Sequence, residues 1–159
     1  MSASVANVPL LRLACALAVC ALPAAAAAAP ATPPAPCTLL TPAQVSGVLG
    51  GTFGAGQPIG TTGCSWTAEK PHMIVTVSLW PPTEWDRMKA GGGLPRSKTT
   101  PVSGLGDDAF FTTVPSTQYV VLYVKKGQTV YLFKVYGVKD PAKQMSAEKT
   151  LAGAALKRI

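Results

Sequence analysis

QYVVLYVKKGQTVYLFKVY, residues 118–136, is the stretch on which the fold turns. Two apolar runs rich in β-branched and aromatic residues flank Lys125-Lys126-Gly127-Gln128, a pattern that predicts a hairpin of strands 118–124 and 129–136. Both faces of each strand are apolar, so the pairing register stays open. A two-residue turn at Lys126-Gly127 sets Leu122 opposite Tyr131, and a glycine bulge sets Leu122 opposite Val130.

Working back from the hairpin, residues 109–113 predict a further strand, and residues 73–80 alternate cleanly. Met73, Val75, Val77 and Leu79 share one face there; Ile74, Thr76, Ser78 and Trp80 share the other. A short strand is expected at residues 64–67, after a glycine-rich stretch, 51–63, that reads as a loop or a ragged edge strand. Thr41 as N-cap, Pro42 at the first helical position, Gln44 closing a capping box and Gly50-Gly51 past the last turn mark the first helix. Residues 83–90 predict a short second helix with Thr83 as its cap, early acids and late bases. From Gly91 to Pro101 a mobile basic loop is expected. The last helix is capped by Asp140, with Pro141 at its first position and a stripe of Met145, Leu151, Ala152, Ala155, Leu156 and Ile159. No regular strand–helix alternation demands parallel crossovers. The expected class is α+β: an antiparallel sheet of about five strands with helices packed on one face, in the order α-β-β-α-β-β-β-α.

The N-terminus reads as a cleavable signal peptide, residues 1–29, with Arg12, an apolar run at 13–22, Pro23 and an alanine tract. Cleavage after Ala28 or Ala31 suits the small-residue requirement better than a cut leaving Pro30 first. The run is too short and too interrupted to span a bilayer, so no transmembrane segment is expected after processing. None of the cysteines sits in a good lipidation signal, and lipid anchoring is not expected. Residues 30–36 form a Pro/Ala-rich spacer of extended character, and residues 37–159 make one domain. Processing removes Cys15 and Cys20, leaving Cys37 and Cys64 to pair in an oxidising space, periplasmic or extracellular. With 14 Lys and Arg against 7 Asp and Glu, the whole chain carries +7, and loss of Arg12 leaves +6. Such a surplus suits an anionic envelope component as well as it suits solubility.

Cys37-Thr-Leu-Leu-Thr41 entering a helix, Cys64-Ser-Trp66 on a strand, and Gly104-Leu-Gly-Asp-Asp-Ala109 before the later strands belong together. The chain resembles a group of exported bacterial domains of unknown function, many of them lipoproteins, that share these three segments. The resemblance spans residue 37 to the C-terminus and implies a disulfide-bonded envelope protein without known chemistry.

No catalytic or cofactor set emerges from the residues themselves. Gly104-Leu-Gly106 lacks the strand before it and the helix after it that a dinucleotide site needs. One histidine and scattered acids do not make a metal centre, and no cofactor is expected. His72 is the only candidate base for a hydrolase, with Ser65, Ser78, Asp107 or Asp108 as partners that only a specific fold would supply. Trp80 and Trp85, with Arg87, Arg96 and Lys98, form a possible interaction surface. Nucleic acid is not expected, because the cations are dispersed. The expected function is therefore non-enzymatic binding of a protein or envelope polymer. An inhibitor or immunity protein presenting residues 90–101 to an enzyme is the alternative, and a hydrolase using His72 a second one.

Overall fold

The structure, a computed structural model, describes residues 32–91, 94–117 and 119–159. The signal peptide expected at 1–29 lies outside the described residues, as do the first two positions of the spacer. The first helix, α1 (Pro42–Leu49), starts as its sequence dictates: Thr41 Oγ1 accepts from the Gln44 amide, and Gln44 Oε1 accepts from the Thr41 amide. Both donors would otherwise be orphaned at the helix start. Three strands follow, β1 (Gln57–Ile59), β2 (Gly63–Ala68) and β3 (Met73–Trp80), then α2 (Trp85–Lys89). Four more come after it, β4 (Lys98–Pro101), β5 (Asp108–Val114), β6 (Tyr119–Lys126) and β7 (Thr129–Tyr136), before α3 (Pro141–Leu156) closes the chain.

The strands form one antiparallel sheet in the order β1-β2-β3-β7-β6-β5-β4. Two meanders, β1 to β3 and β4 to β7, are thus sewn together along β3 and β7. This overturns the expectation of five strands, helices on one face and the order α-β-β-α-β-β-β-α. The two added strands are the sheet edges, and each is too short and too polar to show a period. Gln57-Pro-Ile59 pairs only with β2, and Lys98-Thr-Thr-Pro101 pairs only with β5. The latter replaces the second half of the loop expected up to Pro101. Proline is tolerated in both because an edge strand has one side free of ladder bonds.

Helix placement differs as well. α1 and α3 lie on one face, where Leu39, Val45, Leu151 and Ala155 pack against Trp66, Val77, Leu122 and Phe133. α2 lies on the other, where Trp85 and Met88 pack with Phe110, Val121, Tyr123 and Val130. A strand with two apolar faces, as in β6, is the sequence trace of this three-layer arrangement. Thr83 does not cap α2; a 3₁₀ turn, Pro82–Glu84, leads into it without a side-chain cap bond.

The hairpin register settles differently from both alternatives. Leu122 stands opposite Phe133 and Lys126 opposite Thr129, so the turn is Gly127-Gln128. Gly127 takes a left-handed φ of 55° as the first central residue, which suits the twist of the flanking strands. Its amide donates to Asp107 Oδ2 at 2.6 Å, a long-range contact that local pattern could not reveal. Cys37 and Cys64 are bonded, with Cα atoms 5.1 Å apart, and tie the turn before α1 to β2.

Candidate binding cleft at a split in the sheet

Extending the β6–β7 register two residues past Leu122 and Phe133 would pair Val120 with Val135, yet the ladder stops at Leu122 and Phe133. Two side chains from α3 fill the gap. Gln144 Nε2 donates to the carbonyls of Val135 at 2.8 Å and Val120 at 3.4 Å. The Val135 amide donates to Glu148 Oε1 at 3.0 Å, and Gln144 Nε2 reaches the same oxygen at 3.1 Å. These residues, one turn apart on the helix, replace the missing backbone partners and so keep buried peptide groups satisfied. Beyond this wedge β6 stays paired with β5 and β7 with β3, so the sheet forks.

Glu148 has no exposed surface. Burial pushes its carboxyl up to about 8, only partly offset by the Val135 amide, Gln144 and the charge of Lys134. A carboxyl without water around it favours its neutral form. Oε1 is fully engaged, whereas Oε2 has no hydrogen-bond partner; the proton of the neutral acid has a natural seat on that second oxygen.

A cleft of about 250 Å³ opens where the strands diverge, lined by Thr117, Tyr119, Lys134, Tyr136, Gly137 and Gln144 among others. Lys134 Nζ sits 3.9 Å from the Tyr119 ring centre and 4.5 Å from that of Tyr136. The cation is held between two electron-rich faces, one on each side of the fork. Gly137, at φ 90°, turns the chain out of β7, and a Cβ there would stand 2.4 Å from the His72 carbonyl oxygen. Only glycine admits that approach.

Lys134 belongs to a larger surface. Cross-strand partners share a face, so Gln57, Ser65, Thr76 and Lys134 form one row, and Thr67, Ile74 and Tyr136 the next. This is the face on which α2 sits, but α2 packs over β5, β6 and the first half of β7. The hydroxyl-rich rows over β2 and β3 are half-exposed, and Tyr136 is 45 % exposed. No described helix covers them.

The residues expected to form one interaction surface are dispersed. Trp85 is buried and meets Phe110 edge to face, ring centres 4.8 Å apart. Trp80 is half-buried against the same cluster. Arg87 is exposed and pairs with Glu84 through Nε at 2.9 Å. Lys98 pairs with Thr113 on the edge, on the side of the sheet shared with Phe111 and hence opposite to Trp85. Arg96 alone comes near the cleft: it lines a groove of about 470 Å³ with Leu94, Val114, Ser116, Thr117 and Tyr119, and the last two also line the cleft.

His72 lies at the turn between β2 and β3, at the end of the sheet where the cleft opens, while Asp107 and Asp108 sit at the far end, beside the β6–β7 turn. Those acids cannot orient it. Asp107 instead clamps the turn, accepting from Gly127 and from Lys126 Nζ at 3.3 Å, and the Gly127 amide chiefly holds its carboxyl below the usual range. Among the described residues no three His, Cys, Asp or Glu side chains converge, and no helix is long and apolar enough to cross a membrane.

Lys134, the two tyrosines, Gln144 and Glu148 went unmarked in the sequence reading. A signal for the last two exists: 144, 148, 151 and 155 fall on one helical stripe, so two polar residues interrupt an otherwise apolar seam. With this geometry in hand, comparison with known proteins adds nothing further, since no family model, no curated protein and no solved structure matches the chain.

Proposed function

We propose that the chain is an exported, non-enzymatic domain that binds a protein or an envelope polymer on the uncovered half of its sheet, next to the cleft. The observation that carries this reading is Lys134, poised between Tyr119 and Tyr136 at the edge of a hydroxyl-rich face that no described helix covers. A half-buried and an exposed tyrosine holding a cation between them lose little freedom on contact and so favour recognition. The Cys37–Cys64 bridge supports maturation in an oxidising compartment. The inhibitor reading, built on residues 90–101, has less support because Lys98–Pro101 is committed to the sheet edge.

Cross-linking in intact cells, followed by purification of the tagged chain, tests the proposal. One dominant partner or polymer is expected with the wild type, and its yield should collapse in Lys134→Glu while the variant's melting temperature stays close to wild type. Equal recovery with both chains, or background material only, overturns it.

A further inference from the structure

The cleft and the adjoining groove share Thr117 and Tyr119, so they meet there as a two-part depression, with Lys134 lining the cleft and Arg96 the groove. Among the described residues, no acidic side chain lines either part. Neither cation makes a salt bridge among the described residues, where Arg87, Lys89 and Lys126 pair with Glu84, Asp108 and Asp107. Asp140 caps α3 and Glu148 is buried, which leaves few carboxylates to answer the basic surplus of the chain. Arg96 is also the one described residue other than glycine with a left-handed backbone, at φ 60°. It follows Pro95 in a turn closed by the Ser97 amide donating to the Leu94 carbonyl at 3.2 Å, which places an exposed Arg96 side chain beside the groove.

Resting on the binding reading above, we infer that this depression takes an acidic polysaccharide, with one sugar carboxylate against Lys134 and another against Arg96. Two cations in adjoining recesses that share an aromatic residue match a polymer that alternates negative groups with flat sugar rings. The apolar face of a sugar ring lies on the Tyr119 or Tyr136 ring, while Ser116 and Gln144 offer polar contacts to its hydroxyls. The guanidinium of Arg96 is suited to a planar carboxylate. A dispersed positive charge alone would accept any polyanion; the tyrosines are what select a ring-bearing one.

Four probes separate the possibilities when titrated into the mature, disulfide-intact domain: oligogalacturonate, neutral dextran oligomers, polyglutamate, and vesicles of phosphatidylglycerol in phosphatidylcholine. Oligogalacturonate should bind in a salt-sensitive manner, dextran should not, and Lys134→Gln and Arg96→Gln should each weaken binding roughly tenfold. Lys149→Gln, on the exposed side of α3, should leave affinity unchanged, and melting temperatures identify any misfolded variant. Polyglutamate or vesicles binding as tightly as the uronate, with the same dependence on Lys134, overturn the polysaccharide inference but leave the binding face standing. If no probe binds while in-cell capture still depends on Lys134, the inference alone fails; if capture is also independent of Lys134, the proposed function fails with it.

Discussion

The two ends of the β6–β7 pair are held in opposite ways. At the turn, backbone bonds continue to Lys126 and Thr129, and Asp107 caps the Gly127 amide from a neighbouring loop. At the fork the ladder stops early, and Gln144 and Glu148 from α3 supply the missing donors and acceptors. The first solution keeps the backbone ladder intact up to the turn. The second opens a cleft, but it makes the local structure depend on the protonation of one buried acid. A sheet that must hold a cavity without exposing orphan peptide groups needs such side-chain substitutes, and the cost appears as a pH dependence confined to one end.

Changing pH should produce the largest difference between the ends. In the folded chain the Glu148 carboxyl keeps its proton up to about pH 8, against about 4.5 in the unfolded one. Between those values the unfolded state binds fewer protons, so stability is fully present below the unfolded value and declines as pH rises toward 8. The loss attributable to this residue is on the order of 5 kcal/mol. Urea melts from pH 4.5 to 8.5 should show that slope, and Glu148→Gln, which retains an acceptor for the Val135 amide without the titration, should flatten it. An unchanged slope in the variant would place the titration elsewhere.

Cutting the Cys37–Cys64 bridge acts two strands away from the fork. The loop it closes, with a sequence separation of 27, predicts a loss of about 3–4 kcal/mol in the chain-entropy account. The Cys37→Ser, Cys64→Ser double variant should therefore unfold at lower urea at every pH, yet show the wild-type pH slope. A steeper slope would mean that the bridge also braces the fork.

How much of this was legible in the chain follows from where each determinant lies. α1 could be read to the residue because its cap, first-turn proline and terminal glycine are local. β3 could be read because one of its faces is buried at Met73, Val75 and Val77 and the other is half-exposed, giving a period of two. β1 was legible only as one of two readings of residues 51–63, and β4 stayed hidden, because three- and four-residue edge strands carry no periodicity and contain proline. The hairpin register stayed open because its arbiter, Asp107, is contributed by a segment twenty residues away. Of the expected interaction residues, Arg96 alone lines the groove beside the cleft, since tryptophans on either side of a proline pair can be read as contact or as core. The fork was out of reach for a different reason: Lys134 and Tyr136 look like ordinary strand residues until a helix wedges the ladder apart beside them.

Smaller changes sharpen the contrast. Gln144→Ala removes the donor shared by the Val120 and Val135 carbonyls, and leaving such buried groups unpaired costs about 1–3 kcal/mol. Hydrogen exchange should accelerate at Val135 and not at Tyr131, since the closed end keeps its own ladder. Uniform acceleration would show that the two ends open as one unit.

The least disruptive test is made at the turn itself. Gly127 has a left-handed φ of 55° and an added Cβ would meet nothing within 4 Å. Gly127→Ala should therefore cost only the backbone preference, about 1 kcal/mol, with no packing penalty. Because the variant leaves Glu148, Gln144 and Lys134 untouched, its pH slope and its exchange at Val135 should match the wild type. Should the strain at the turn instead speed exchange at the fork, register would be transmitted along the whole hairpin, and the two ends would be one mechanical element with a single stability.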